Sequence, residues 1–376
     1  MTIFLLLLGA ALIYLVQDRL YARRWSQGLG VSIRFPKQVV VEGETASLVE
    51  VITNAKRLPL PILHVKFQIS RNLRFGGDDN TSVSDLSYRH DIFSILFYQK
   101  ITRTLEFQCT KRGFYAIDQA NLVATNLFLT RSMVSSVKQN AYMYVYPRTV
   151  STEAIDLPFK KAMGTLLSKR YLFEDPFEFR GIRDYEITDP MNSINWKATA
   201  KTGDLMVNVH HSTLSQEAVI FLDLQDDTLW KYENLHEMAI RIAASFAIRF
   251  LEQSIPTRIL CNGKDQITKE IVQVPAGSGR RQMDAINESL SRIDLSQDPV
   301  PCTEQMAEEL ANMGNRHPYY ILIGNSFGHQ RKEYLKQLAD LGSGAMWIAL
   351  CEKNQEIPTS PSDNLEIVKW EVQHEI

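Results

Sequence analysis

The feature that most constrains this chain is an uncharged apolar run near its N-terminus. Residues 3–16 read IFLLLLGAALIYLV, and three basic side chains, Arg19, Arg23 and Arg24, follow them. A membrane-spanning helix needs about 20 mostly apolar residues. The run is slightly short by itself, and apolar side chains up to residue 25 extend it. The sequence therefore predicts a membrane helix over residues 1–25.

Two other interpretations compete with a membrane anchor. A secretory signal peptide has basic residues before its apolar run and a small-residue cleavage site after it, and neither Met1-Thr2 nor Val16-Gln17-Asp18 fits. A buried core helix is the second alternative, but it would be uncapped and apolar all round. Because basic residues follow the run and none precedes it, the positive-inside rule places the rest of the chain in the cytoplasm. We therefore expect a single-pass protein of the cell membrane with most of the chain cytoplasmic.

Composition and charge narrow the class of protein further. At about 150 residues per domain, 376 residues suggest two to three domains. The 41 Lys and Arg nearly cancel the 43 Asp and Glu, for a net charge of −2. This balance argues against nucleic acid as a partner, since proteins that bind it are usually basic. The four cysteines are scattered and form no CxxC pair, which favours reduced core residues over disulfides or a zinc site.

Residues 26–150 show the pattern of an antiparallel β-sandwich. Apolar and polar side chains alternate in short segments such as 31–35, 62–69 and 104–110. Turn signals such as Gly113 separate these segments. Many short strands of this kind are typical of a sandwich. We expect a spacer or scaffold module.

Residues 215–376 alternate between strands and helices instead. Residues 218–224 (AVIFLDL) form a continuous apolar run, which is typical of a strand buried on both faces. Residues 232–253 repeat apolar side chains with a helical period. This alternation predicts a mostly parallel sheet with helices on both faces. Ligands of such sheets bind at the carboxyl ends of the strands, which here are represented by residues 223–227.

The segment that joins these two modules, residues 151–214, carries the most unusual residues. Asp189 suits a helix N-cap and Pro190 the first helical position. Gly203 suits a helix end. We therefore expect a helix over about residues 190–201, followed by a short strand that leads into the α/β sheet.

Residues 177–207 resemble the signature segment of the domain of unknown function 58 family of bacteria and archaea. The family pattern is E-F-x-x-x-R-x-Y-x-x-G-D-x-x-x-x-I-x-W-x-x-x-A-R, and the matching residues are Glu178, Phe179, Arg183, Tyr185, Asp189, Ile194, Trp196 and Ala200. Thr188 replaces the usual glycine and Lys201 the usual arginine. Lysine keeps the charge of arginine but loses its bidentate geometry. Residues 111–115 (KRGFY) and 145–147 (VYP) resemble two flanking signatures.

The resemblance implies an architecture, a fold class and a partner. Family members carry an N-terminal membrane segment, a β-rich module, the signature segment and a von Willebrand factor A-like α/β domain, and they are associated with MoxR-type AAA+ ATPases. The expected chain is thus a multidomain α and β protein with a membrane anchor (1–25), an antiparallel β-sandwich (26–150), a joining signature segment (151–214) and a von Willebrand factor A-like, Rossmann-like domain (215–376). We expect a membrane-anchored, cytoplasm-facing adaptor or scaffold that binds such an ATPase and catalyses no reaction itself.

The signature residues admit two roles. Their charges form either a partner-docking surface or an ion-pair network that joins the domains. The residues assigned to this interaction or structural signature are Glu178, Phe179, Arg183, Tyr185, Asp189, Ile194, Trp196, Lys197 and Lys201.

A metal site is the alternative at residues 223–227. The resemblance implies an Asp-x-Ser-x-Ser motif for Mg²⁺ after the first strand, because Mg²⁺ prefers hard oxygen ligands. Here Asp223 is present and Asp227 offers a carboxylate, but Gln225 and Asp227 replace the two serines. We therefore expect no cofactor. The alternative function is that of a divalent-metal-dependent ligand-binding receptor that uses this strand end.

Overall fold

The structure is a computed structural model of the 376-residue chain. It describes residues 1–376 apart from 77–80, 84–85, 171–173, 187–188, 190, 213–216, 229, 315, 354, 356, 359–363 and 373–376; it also omits the side chains of 81–83, 86–87, 169–170, 174–180 and 209–212. The chain divides into two compact units, Met1–Arg148 (unit 1) and Thr149–Ile376 (unit 2).

Unit 1 begins with a long apolar helix, α1 (Thr2–Arg24). The predicted N-terminal helix is confirmed, and it is long and apolar enough to cross a membrane. Most of its side chains are exposed, but Tyr21 and the following Trp25 are buried. The Tyr21 hydroxyl donates to the Pro59 carbonyl oxygen at 2.8 Å, which holds the last turns of α1 against the β module.

The strands of unit 1 form two sheets. They are β1 (Leu29–Arg34), β2 (Val39–Val41), β3 (Thr45–Asn54), β4 (Leu60–Ser70), β5 (Leu73–Phe75), β6 (Thr81–Val83), β7 (Leu86–Ile95), β8 (Lys100–Cys109), β9 (Gly113–Thr125) and β10 (Ser132–Tyr146). One sheet has the order β1-β3-β8-β5 and the other the order β2-β10-β9-β4-β7-β6. Neighbouring strands are antiparallel, except that β2 runs parallel to β10.

The two sheets share one apolar core. Leu48 and Ile52 from one sheet and Leu63, Val65 and Leu122 from the other belong to the same buried cluster. The side chains alternate between buried and exposed along the strands, as expected when one face of each sheet packs on the other. The antiparallel sheets predicted for this region are confirmed.

A charged cluster lies inside this core. Asp91 on β7 accepts hydrogen bonds at 2.8 Å from Arg89 of the same strand and from Arg103 on β8. Glu50 on β3 is paired in register with Arg103. Both carboxyl groups are buried. Burial, followed by the negative charge of Asp91, raises the pKa of Glu50 to about 8, so this group carries a proton at neutral pH.

The turn between β8 and β9 contains the KRGFY sequence. The Tyr115 hydroxyl donates to the Lys111 carbonyl oxygen at 2.8 Å. A Cβ atom at Gly113 would lie 2.9 Å from the Tyr115 ring. These two residues close the turn, which is a structural role.

Unit 2 is built around a larger sheet. Its helices are α2 (Thr152–Arg170), α3 (Trp196–Thr202), α4 (Glu233–Glu252), α5 (Arg280–Ser291), α6 (Cys302–Asn312) and α7 (His329–Leu341). Its strands are β11 (Glu174–Asp184), β12 (Met206–Ser212), β13 (Ala218–Leu222), β14 (Thr257–Asp265), β15 (Ile271–Gly277), β16 (Ile293–Asp294), β17 (Tyr319–Gly324), β18 (Ala345–Cys351) and β19 (Leu365–Glu371).

The main sheet of unit 2 is mostly parallel, as predicted. Its order is β15-β14-β13-β17-β18-β19, and only the β15 and β16 pairings with β14 are antiparallel among the described strands. The central strand β13 is buried along its whole length. Ile220 faces a cluster that includes α4, and Phe221 faces a cluster that includes α6 and α7, so helices cover both faces.

Helix α2 was not foreseen from the sequence. Pro158 lies inside it, and proline disfavours a helix interior. Packing decides the outcome, because Phe159 contacts the rings of Phe246 and Phe250 on α4.

The helix expected over residues 190–201 is corrected by the structure. Asp189 is not its N-cap. Helix α3 begins after Asn195, whose side-chain oxygen accepts a hydrogen bond from the Ala198 amide at 2.9 Å. The Asp189 carboxylate instead binds Arg183, a stronger, charge-assisted partner. The predicted end is confirmed, since Gly203 has a left-handed φ of 85°.

The strand expected to lead into the α/β sheet is also corrected. β12 pairs with β11 in a separate two-stranded sheet. Antiparallel pairing with a preceding strand satisfies its backbone locally, and the alternation of its side chains fits that arrangement equally well.

Candidate functional site

Polar side chains from neighbouring strands meet at the carboxyl edge of the main sheet. Asp223 directly follows β13, and Asn262 lies in the adjacent β14. Asp223 is only 1% exposed. One of its oxygens accepts hydrogen bonds from the Asn262 side-chain amide at 2.7 Å and from the Gln225 backbone amide at 3.0 Å. The edge at which the sequence predicts a site thus holds a buried carboxylate that accepts several hydrogen bonds.

Arg331 near the start of α7 supplies the positive charge at this edge. Its Nε donates to Asp223 Oδ2 at 2.5 Å, and a terminal nitrogen donates to Gln225 Oε1 at 2.6 Å. Another terminal nitrogen lies 4.0 Å from Asp227 Oδ1. Burial raises the pKa of Asp223, and the charge of Arg331 opposes that effect. The guanidinium therefore lies among the three side chains that the sequence singled out as oxygen donors.

The two remaining carboxylates of this segment bind the loop after β17. Asp226 accepts a hydrogen bond from the Asn325 side-chain amide at 2.6 Å. Asp227 accepts hydrogen bonds from the Ser326 hydroxyl and, at 2.7 Å, from the Phe327 backbone amide. The side chains and backbone of this loop thus donate to the carboxylates of residues 223–227.

A buried histidine extends this network to a small cavity. His236 on α4 has its Nε2 atom 3.1 Å from Asp226 Oδ1. Burial lowers the pKa of His236, although Asp226 opposes the shift, so a neutral ring that donates to the carboxylate is favoured. The cavity has a volume of about 270 Å³, and its polar lining includes Gln225, Asp226, Lys231, His236, Asp294 and Asp298. It has room for a small polar molecule.

The signature segment forms a second candidate site. Arg183 on β11 makes a bidentate ion pair with Asp189, with nitrogen–oxygen distances of 2.6 and 2.5 Å. The Glu186 backbone amide also donates to Asp189, at 2.9 Å. The hydrogen bond from Arg183 lowers the pKa of Asp189. Within the described residues, this pair connects two parts of the same segment.

Large apolar side chains are exposed in the same segment as this ion pair. Trp196 at the start of α3 is 63% exposed and Met191 is 71% exposed, and Ile182 and Leu205 are also exposed. Large apolar side chains grouped on a surface are typical of interaction sites, and tryptophan is enriched at binding hot spots. We call this surface, formed by Arg183, Met191, Trp196 and Leu205, the signature face; Ile182 lies on the other face of β11, because successive side chains of a strand alternate.

The other signature residues fall into three groups. Ile194 is buried and forms a β-bridge with Val207, whereas Tyr185 donates its backbone amide to the Leu205 carbonyl at 2.9 Å. Lys197 and Lys201 are exposed on α3. The side chains of Glu178 and Phe179 lie outside the described residues.

Comparison with protein families gives one match. Residues 181–364 match the family described as "Protein of unknown function DUF58". This region of the chain belongs to the DUF58 family. The resemblance drawn from the signature residues is confirmed, and the matched DUF58 region contains both the signature face and the carboxyl edge of the main sheet.

Solved structures resemble smaller parts of the chain. A CARDB domain of Pyrococcus furiosus described as a complex with di-metal ions has 13% identity, covers 31% of this chain and 90% of its own, and has a TM-score of 0.19. A non-cellulosomal cohesin from Archaeoglobus fulgidus has 14% identity, covers 34% of this chain and 96% of its own, and has a TM-score of 0.22. A search of curated proteins gave no match.

Three residues of the DUF58 region were missed by sequence reasoning. Asn262, His236 and Arg331 all contact the carboxylates of residues 223–227. Asn262 was the easiest of them to predict, because it directly follows the apolar run of the second parallel strand. His236 and Arg331 lie inside amphipathic helical patterns, in which a polar side chain is normally expected on the face exposed to solvent.

Proposed function

We propose that this protein is a membrane-anchored, cytoplasm-facing adaptor that binds a protein partner through the signature face and performs no catalysis. Helix α1 is the anchor, and the basic residues that follow its apolar run set the orientation. The proposal rests on the exposure of Trp196 in the same segment as the Arg183–Asp189 pair. Ile194, two residues before Trp196, forms a β-bridge with Val207, which pairs with Arg183. An exposed tryptophan and an oriented arginine are two residue types that dominate binding energy at interfaces.

We further propose that the main sheet is a von Willebrand factor A-like domain in which Arg331 takes the place of a metal ion. The parallel strands with helices on both faces, and the Asp223 carboxylate after the central strand, support this assignment. The donor set does not suit Mg²⁺. Asp223 already accepts hydrogen bonds from Asn262, Gln225 and Arg331, and Mg²⁺ would have to displace the guanidinium. Binding of a partner is therefore proposed to be independent of divalent metal.

The expected partner is a MoxR-type AAA+ ATPase, as the family resemblance implies. The signature face would engage it through Trp196 and the flanking apolar side chains, and Lys197 and Lys201 would favour an acidic rim on the ATPase. The short ion pair between Arg183 and Asp189 fixes the arginine in place before binding, which lowers the entropic cost of association.

Photocrosslinking in native membranes tests this proposal. A benzophenone amino acid is placed at position 196 or, as a control, at position 341, where Leu341 is also exposed but lies on α7, outside the signature face. We expect a crosslink to the MoxR-type ATPase from position 196 and none from position 341. An equal yield from both positions, or no crosslink to the ATPase from position 196, would contradict the proposal.

A further inference from the structure

Three loops leave the β-sandwich of unit 1 at the end where α1 joins it. They are the β3–β4 loop (55–59), the β7–β8 loop (96–99) and the β9–β10 loop (126–131). The strand register places them together, because Leu60 pairs with Ile95 and Leu63 pairs with Ala124. The Pro59 carbonyl contact with Tyr21 shows that this is the α1 end. We call these loops the α1-end loops.

Two of the α1-end loops present apolar side chains to the outside. Each carries three consecutive large apolar residues that are exposed: Leu96, Phe97 and Tyr98 in one loop and Leu127, Phe128 and Leu129 in the other. Tyr98 and Leu129 have φ values of 49° and 57°, a left-handed conformation that is costly for bulky residues. Exposed apolar loop tips of this size mark a surface that is covered by a partner or a membrane.

Contacts with α1 set the height of the β9–β10 loop along the helix. Arg131 forms an ion pair with Asp18 at 2.9 Å. Beyond it, the Tyr14 hydroxyl donates to Thr130 at 3.3 Å, and the Tyr14 and Phe128 rings are 6.1 Å apart. Tyr14 lies inside the uncharged run of residues 3–16. Any bilayer that contains this run therefore reaches the level of Phe128.

The β9–β10 loop is held in a defined shape. The buried Asn126 side chain accepts hydrogen bonds from the Thr130 amide at 2.8 Å and the Arg131 amide at 3.3 Å, and it donates to the Thr130 hydroxyl at 2.9 Å. The apolar tip between residues 126 and 130 is thus displayed by its own hydrogen bonds. A preformed tip enters an apolar phase without first losing conformational freedom.

Basic side chains surround the apolar tips. Arg57 and Lys100 on or next to the α1-end loops are exposed, as are Arg19, Arg23 and Arg24 on α1. Arg131 is also exposed, but its charge is paired with Asp18. Apolar side chains that insert, flanked by Lys and Arg at headgroup level, are the combination that binds an anionic membrane interface.

We propose that the α1-end loops dock unit 1 on the lipid bilayer, with Phe128 inserted into the interface and the surrounding basic residues on anionic headgroups. This inference rests on the proposed membrane anchor. The sandwich would then stand end-on against the membrane at a fixed height, rather than moving freely on the anchor.

Spin-label depth measurements on the full chain test this proposal. Single cysteines replace Phe128, Val39 or Leu8, and each carries a nitroxide; the native cysteines are all buried. The chain is reconstituted in vesicles of phosphatidylcholine and phosphatidylglycerol, and collisions of the label with oxygen and with a water-soluble nickel chelate are compared. We expect the ratio of oxygen collisions to nickel-chelate collisions to be severalfold higher for the label at 128 than for the label at 39. Residue 39 is on β2, at the opposite end of β10.

The label at Leu8 separates the two ways in which the test can fail. If the label at 8 lies in the bilayer while the label at 128 meets the nickel chelate as freely as the label at 39, loop insertion is overturned and the anchor stands. If the label at 8 is itself in water, the proposed anchor fails, and the docking proposal fails with it.

Discussion

Replacement of Arg331 by methionine is expected to destabilise unit 2 by about 3–5 kcal/mol, because it leaves a buried carboxylate without its charge partner. Asp223 is 1% exposed and has its shortest hydrogen bond from Arg331. Hydrogen exchange of the full chain in lipid nanodiscs measures the effect on the amides of β13. Since 1.4 kcal/mol is tenfold in an equilibrium constant, slow exchange there should accelerate by roughly two to four orders of magnitude.

The pH dependence of the Arg331→Met effect follows from Asp223. Without the guanidinium, burial raises the pKa of Asp223 further above its unfolded value, so the folded form holds a proton that the unfolded form has lost. Stability then falls as pH rises from the unfolded pKa, about 3.9, through the raised folded pKa. The loss relative to wild type should be smaller in acid than at neutral pH.

Two further variants make the Arg331 prediction specific. Adding Asp223→Asn to Arg331→Met removes the stranded charge and should recover most of the lost stability. Lys161→Met breaks the Lys161–Glu366 pair in the same unit, whose side chains are 48% and 34% exposed, and should cost at most about 1 kcal/mol. If Arg331→Met costs no more than Lys161→Met, the guanidinium is not what balances Asp223.

Arg89→Met is expected to destabilise unit 1 by a similar amount, about 3–5 kcal/mol. Arg89 donates to the fully buried Asp91 at 2.8 Å, and its guanidinium lies 4.6 Å from the centre of the Phe75 ring. Methionine keeps much of the apolar contact but leaves Asp91 with the ion pair to Arg103 alone among the described residues. Amide exchange in the central strands β4 and β9 reports the loss.

Glu50→Gln is the matched control in the same cluster. We expect it to stabilise unit 1 at neutral pH, whereas Arg89→Met destabilises it. The pKa of Glu50 is raised to about 8 in the folded protein, against about 4.3 when unfolded. Wild-type unit 1 therefore loses stability as pH rises between these values, because ionisation of the buried carboxyl is disfavoured. Glutamine removes that loss, so the free energy of unfolding of the variant should rise relative to wild type from about pH 5 to about pH 8. A pH-independent difference, or Arg89→Met without effect on β4 and β9, would contradict the assignment of this cluster.

The sequence was sufficient to predict the main elements of the fold. The continuous apolar run of β13 predicted a strand buried on both faces, and the alternation along β4 and β8 predicted antiparallel sheets. Competition between alternative partners of one side chain was harder to predict. Asp189 has the chemistry of an N-cap, but a bidentate arginine is a stronger partner than a backbone amide, and Asn195 caps α3 instead. In α2, packing of Phe159 on α4 outweighs the intrinsic cost of Pro158.

The candidate site was only partly visible in the sequence. Residues 223–227 were located correctly at the carboxyl edge of the main sheet, because parallel strands bring their ends together. Arg331 was not, since it follows Asp223 by 108 positions and only the fold brings them into contact. The signature face shows the same limit: spacing identified the family, but the exposure of Trp196 is a property of the folded surface.

The binding affinity of the full chain for a MoxR-type AAA+ ATPase, measured with both proteins purified and this chain held in nanodiscs, tests the adaptor proposal most directly. We predict binding without divalent metal and a loss of affinity of about 30-fold with Trp196→Ala, as expected for a hot-spot residue that contributes about 2 kcal/mol. Leu341→Ala should leave the affinity unchanged. Absence of binding, or equal affinities for the Trp196→Ala and Leu341→Ala variants, would contradict the proposal.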